Sequence, residues 1–265
     1  MKLEQLEEFK RWFADFVGKH YGDDEYVNTN LKLKEVHTLR VCEEARYISE
    51  RLNLDESDIL LAEAIALFHD TGRFIQFVKY RTYNDCRSVN HCQLSLCVLK
   101  EDGLLDVLDA SERQIILDAV EFHGIKELPA GLDERTLLHC KLVRDADKLD
   151  IYRVVLEVYE AYLRDPKSFR FELEFPDSED YSKEMVEMIL DEQMIDYRKL
   201  RTLNDMKLLQ LGWVFDVNFA PTLERIKEKG YIDKILSYLP ETADIVKVAE
   251  KVNGYIDSRI SVGGH

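Results

Sequence analysis

The chain has 265 residues, is 46% hydrophobic and carries a net charge of −16, with a pI near 4.9. Such an acid surplus argues against non-specific grip on a phosphate polymer, so no nucleic-acid polymer is expected as a partner. No apolar run approaches the ~18 residues of a membrane span, and the acidic, amphipathic N-terminus lacks a secretory leader's apolar stretch.

The cysteines, Cys42, Cys86, Cys92, Cys97 and Cys140, form no CxxC pair. They read as free thiols of a reducing compartment, and a cytoplasmic protein is expected. In chain order, Leu3, Leu6, Phe9, Phe13 and Phe16 recur at helical spacing and predict a helix over 3–20. Tyr21-Gly22-Asp23-Asp24 breaks it. A second helix is expected over 30–52, with His37 on an apolar stripe of Leu33, Val36, Val41, Ala45, Ile48 and Leu52. Asp55 or Ser57 would cap a third helix, which places Ala62, Ile65, Ala66 and His69 on one face.

Asp70 follows directly, and Gly72 is expected to break the helix there. Residues 71–90 hold Arg73, Lys79, Arg81 and Arg87 against Asp85 alone, four positive charges less one negative, or +3. Phe74, Phe77, Tyr80 and Tyr83 are interleaved with them. A helix from Ser88 to Lys100 would carry His91 in its first turn. Ser111-Glu112-Arg113-Gln114 reads as a capping start for a helix ending at His123-Gly124. A further helix from Asp133 sets Leu137, Cys140, Val143 or Arg144, and Asp147 along one side and continues past Ile151.

Residues 165–181 turn loop-like around the alternating piece 169–173. They mark the expected boundary between a domain of residues 1–165 and a helical extension of residues 166–265. Helices are expected in the extension at about 182–199, 202–216, 221–238 and 242–260. With almost no β signal, the chain reads as all-α.

One histidine on an apolar helix face is more often a satisfied core residue than a ligand, and a buried carboxylate is costly without a partner. Here His37, His69, His91 and His123, with Asp70 and Asp147, all face inward on separate helical segments. A shared cation accounts for all of them at once.

Val36-His37-Thr38, Phe68-His69-Asp70-Thr71-Gly72-Arg73, Asn90-His91, Glu121-Phe122-His123-Gly124 and Asp145-Ala146-Asp147-Lys148-Leu149-Asp150 resemble the HD superfamily of metal-dependent phosphohydrolases. The resemblance covers about residues 30–155 and implies an HD-type helical bundle. It implies a first divalent metal (Fe, Mn, Zn, Ni, Co or Mg) held by His37, His69, Asp70 and Asp147. In members with two added histidines, a second metal would take Asp70, His91 and His123. Two cations about 3.5–4 Å apart would then share the attacking hydroxide. The one-metal alternative leaves His91 and His123 as substrate or general-acid residues. Asp145 reads as a supporting carboxylate and Asp150 as a solvent or helix-end residue.

Arg73 stands where some binuclear relatives have a phosphate-binding lysine, so the resemblance makes Asp70 and Arg73 the catalytic pair. Arg40 and Lys148 are further phosphate candidates, and Lys79, Arg81 and Arg87 would line the entrance. Cys92 reads as a small core residue. The implied reaction is hydrolysis of a nucleotide or another small phosphorylated metabolite; a homo-oligomer is compatible with it. Two rivals remain: an HD-fold di-iron oxygenase with the same six ligands, and a non-catalytic nucleotide or metal sensor.

Overall fold

The computed structural model describes residues 1–101, 103–165 and 180–263, and every regular element among them is helical. The chain divides into two compact units, Met1–Asp150 and Ile151–His265, with the division inside one long helix. The alternating piece 169–173 lies outside the described residues.

In the first unit, α1 (Leu3–Gly18) buries Leu6, Phe9, Phe13 and Phe16, the stripe its spacing predicts. α2 (Glu25–Arg51) starts five residues before the expected Asn30, because Asp24 caps it by accepting from the Val27 amide. The earlier start goes with a different inward face. Leu31, His37, Val41, Ala45 and Ile48 are buried, whereas Leu33, expected on the stripe, is 62% exposed.

α3 (Glu56–Phe68), capped by Asp55, is buried without interruption from Ile59 to Phe68. A helix apolar on all sides belongs at the centre of a bundle. Its one internal acid, Glu63, pairs with Arg46 at 2.9 Å and Lys10 at 2.7 Å. Phe68 sits edge-on to Phe9, with ring centroids 5.1 Å apart. His69 and Asp70 therefore emerge from the most tightly held helix of the unit.

Thr71-Gly72-Arg73 does not leave helical structure as expected. α4 (Thr71–Tyr80) begins at once, and it packs against α5 (His91–Glu101). Gly72 serves this close approach: a Cβ there would lie 2.3 Å from the His91 carbonyl oxygen and 2.6 Å from the Ser95 amide. α5 itself starts three residues after the expected Ser88. α6 (Ala110–Phe122) is capped by Asp109, which accepts from the Ser111 and Glu112 amides, so the start lies just ahead of the Ser111 motif. α7 (Glu134–Arg164) is one continuous helix.

The second unit holds α8 (Lys183–Leu190), α9 (Leu203–Gly212), α10 (Ala220–Glu228), α11 (Tyr231–Leu236) and α12 (Ala243–Gly263). Two of its expected helices are interrupted, at Glu192 (φ 57°) and Gly230 (φ 64°), both left-handed positions that stop an α-helix. Tyr152 anchors this core. It stacks on Tyr231 at 5.8 Å and donates to the Gln210 carbonyl at 2.9 Å.

Candidate metal centre

Four histidines reach one region of the first unit, and each has Nδ1 on an acceptor. His69 and His123 stand just past the ends of α3 and α6, where carbonyls lack helical partners. Their Nδ1 atoms lie 2.6 Å from the Ala66 carbonyl oxygen and 2.8 Å from that of Val120. A carbonyl only accepts, so Nδ1 carries a proton and Nε2 is the nitrogen left to face the site. His37 Nδ1 meets Asp150 Oδ2 at 2.7 Å, and His91 Nδ1 meets Asp85 Oδ2 at 2.6 Å. Such partners orient imidazoles and raise their basicity toward a metal.

The Nε2 atoms converge on Asp70. Its Oδ2 is 3.7 Å from Nε2 of both His37 and His69. Its Oδ1 is 3.6 Å from His91 Nε2 and 3.8 Å from His123 Nε2. Asp147 Oδ1 completes the first group, at 3.2 Å from His37 Nε2 and 3.9 Å from His69 Nε2. The six side chains expected from the sequence are thus brought together, in two groups with Asp70 between them. Asp147 is the most open of them, with 28% of its side chain exposed.

These donors fit a divalent cation. Ligands about 2.0–2.2 Å from a common ion stand roughly 3–3.5 Å from one another, close to the separations here. The Nε2 atoms of His37 and His69 are buried and make no hydrogen bond among the described residues. His91 Nε2 and His123 Nε2 face each other at 3.1 Å, an arrangement that needs a proton or a cation between them.

The electrostatics point the same way. Burial drives His69 down to about 4, and so neutral. Burial also opposes charging of His123, but Asp70 and Cys92 outweigh it and raise the ring to about 10. His37 is raised as well, with burial and Lys34 overcome by Asp147 and Asp150. Asp70 is held well below the usual carboxylate range: burial opposes this, and Lys34 with the His123 ring outweighs it. The pocket attracts positive charge, and a cation would serve it as a proton does.

The family model for the HD domain matches residues 35–152. Residues 35–152 are an HD domain. The match takes in all six candidate ligands, and domains of this family bind divalent metals. Comparison with curated proteins and with solved structures returned no match.

Around the HD domain's six donors the basic residues scatter. Arg73 Nε lies 3.5 Å from Asp70 Oδ1, while its Nη1 donates to Gln76, to the Tyr83 carbonyl and to Asp85 Oδ1. Arg40 sits 3.9 Å from Asp150 Oδ1, on the carboxylate that bonds His37 Nδ1. Lys148 is half-buried beside Asp147. Lys79 lies over the Tyr80 ring, Arg81 pairs with Asp24 at 2.7 Å, and Arg87 is exposed; none of the three contacts the six donors.

Three contributors escaped the sequence reading. Asp150, expected at solvent, is 3% exposed and holds His37. Asp85 holds both His91 and Arg73. Lys34 places Nζ 2.8 Å from Asp70 Oδ2. Spacing carried a signal for two of them: Asp150 follows Asp147 by three residues and Lys34 precedes His37 by three, so each shares its neighbour's helix face.

Proposed function

We propose that this HD domain is a binuclear phosphohydrolase acting on nucleotides or other small phosphorylated metabolites. The observation that carries the reading is Asp70, with one carboxylate oxygen toward His37 and His69 and the other toward His91 and His123. His37, His69, Asp70 and Asp147 would hold one cation, and Asp70, His91 and His123 the other. Bound there, divalent cations supply an activated water and neutralise charge on a phosphoryl group.

The chain's own groups do the rest. Asp150, Asp85 and the carbonyls of Ala66 and Val120 keep every Nε2 turned inward, so no ring must reorient during turnover. Arg73 contributes a guanidinium whose Nη1 is committed to the loop. Its Nη2, with no partner among the described residues, would bind a phosphate oxygen. A small substrate suits a chain of −16, since only the local cations of the site would attract an anion.

The test is metal analysis of freshly purified protein, followed by a panel of phosphate esters assayed under air and under nitrogen. Release of inorganic phosphate or a nucleoside monophosphate in both atmospheres is expected. Metal-loaded protein that releases neither overturns the reading, and a product formed only with O₂ replaces it with the oxygenase.

A further inference from the structure

Asp70 has a cation against each oxygen. Arg73 Nε is 3.5 Å from Oδ1, and Lys34 Nζ is 2.8 Å from Oδ2. The two differ in what else holds them. Arg73 is tied into the Tyr83–Asp85 loop, whereas among the described residues Lys34 has no carboxylate other than Asp70 within ion-pair distance.

Its position is nonetheless fixed. Lys34 lies one turn before His37 on α2, its side chain is 17% exposed, and its ammonium lies 5.5 Å from the centroid of the Tyr83 ring. Tyr83 is itself anchored, its hydroxyl donating to the Asn30 carbonyl at 2.8 Å. The cation is therefore held at the edge of the centre, on the oxygen that faces His37 and His69.

A structural ammonium would neutralise Asp70 and do no more. Among the described residues, Asp70 is also the one carboxylate placed to serve both groups of histidines. Once its charge is shared with cations, Lys34 is left beside them with no anion of its own, a repulsive arrangement in a partly buried site. An incoming anion relieves it. We propose that Lys34 is an anion-receiving residue of the centre, its ammonium binding a non-bridging oxygen of the substrate phosphate on the His37–His69 side. This rests on the phosphohydrolase reading for the identity of the anion.

The experiment uses the full chain, wild type and Lys34→Gln, Lys34→Arg and Lys34→Ala, each reconstituted with Mn²⁺. Metal content is measured first, then binding of inorganic phosphate by calorimetry, then kcat and KM on p-nitrophenyl phosphate and its bis-ester. Lys34→Gln should keep its metal and bind phosphate roughly 10- to 100-fold more weakly, the loss expected for one charge-assisted hydrogen bond. The effect should fall on KM more than on kcat, and Lys34→Arg should recover part of it.

Undiminished phosphate binding by metal-loaded Lys34→Gln overturns the proposal, as does a loss of metal that accounts for the weaker binding. Wild-type protein that holds metal yet binds no phosphate overturns it too. Wild-type protein that binds phosphate through Lys34 but cleaves no ester leaves the anion site standing and removes the hydrolase reading alone.

Discussion

Asp150 Oδ2 stands 2.7 Å from Nδ1 of His37, joining α7 to α2 across 113 residues of sequence. The contact turns His37 Nε2 toward Asp70 and Asp147. Removing the acid should leave the ring free to rotate and its other face poorly polarised. Asp150→Ala should therefore weaken metal binding by about 10- to 100-fold, the usual cost of losing a ligand's supporting partner. Metal titration of the two proteins checks this. Equal affinity would reduce Asp150 to a core carboxylate.

The same residue shows where sequence reading stops. Asp145, Asp147 and Asp150 all lie on one helix, and periodicity alone does not say which meet a histidine from another helix. The ligands themselves are legible because an inward-facing His or Asp among apolar residues stands out, as at His69 just past the end of α3. Leu33 shows the opposite failure. Its apolar side chain argues for the buried face, but Leu31 and His37 define that face and leave Leu33 at 62% exposure. Gly72 reads in sequence as a helix breaker, the commoner role, because the approach of α5 is a tertiary fact. Position alone puts Arg73 at the anion site, with no sign of its bonds to Tyr83 and Asp85.

His91 decides how many cations the centre holds. With His123 and Asp70 Oδ1 it forms the second group, so His91→Ala should halve the metal content and leave His37, His69, Asp70 and Asp147 to hold one ion. Asp85→Asn should move the same way more mildly, through the 2.6 Å contact with His91 Nδ1. Metal counts at the wild-type value in His91→Ala would make the second group a substrate or acid site.

Arg73 does two jobs, and its variants should separate them. Losing a guanidinium from the substrate phosphate should cost about 1.5–3 kcal/mol, or roughly 10- to 150-fold in kcat/KM. Metal should stay, because Asp85 keeps a hydrogen bond from Gln76 Nε2 at 2.9 Å and so remains on His91. Arg73→Lys should recover only part of the rate, since the point charge survives and the fork does not. Normal turnover by Arg73→Ala would make the residue a loop tie alone.

Away from the centre, Asp58 on α3 accepts from Arg135 at 2.8 Å and lies 3.0 Å from His139 Nε2, both on α7. The His139 contact, helped by Arg135 and opposed by burial, lowers the carboxyl to about 2 from the ordinary 3.8. A depressed carboxylate stabilises the fold above its unfolded pKa, and that stability fades as pH falls from about 4 through 2. Allowing for solvent screening at this partly open site, Asp58→Asn should cost about 1 kcal/mol at pH 7. Urea unfolding of the metal-free proteins should show the gap closing below pH 4. A gap that does not depend on pH would place the cost in packing instead.

Gly72 ties the packing of the bundle to the second group of ligands. Its amide donates to Ser95 Oγ at 2.8 Å, and that hydroxyl donates to the His69 carbonyl at 3.0 Å, so α4 and α5 are joined within two residues of Asp70. A Cβ at Gly72 would meet the His91 carbonyl oxygen and the Ser95 amide, backbone atoms that cannot swing aside. α5 would have to move, and His91 with it. Gly72→Ala should therefore destabilise the protein by about 1–3 kcal/mol, as overpacking does. It should also weaken the second cation more than the first, because His37, His69 and Asp147 lie on other helices. Gly18→Ala, where nothing stands within 4 Å of the added carbon, is the control. If Gly72→Ala unfolds like wild type in urea and holds its full metal, α4 and α5 have room to spare, and His91 is not positioned by their contact.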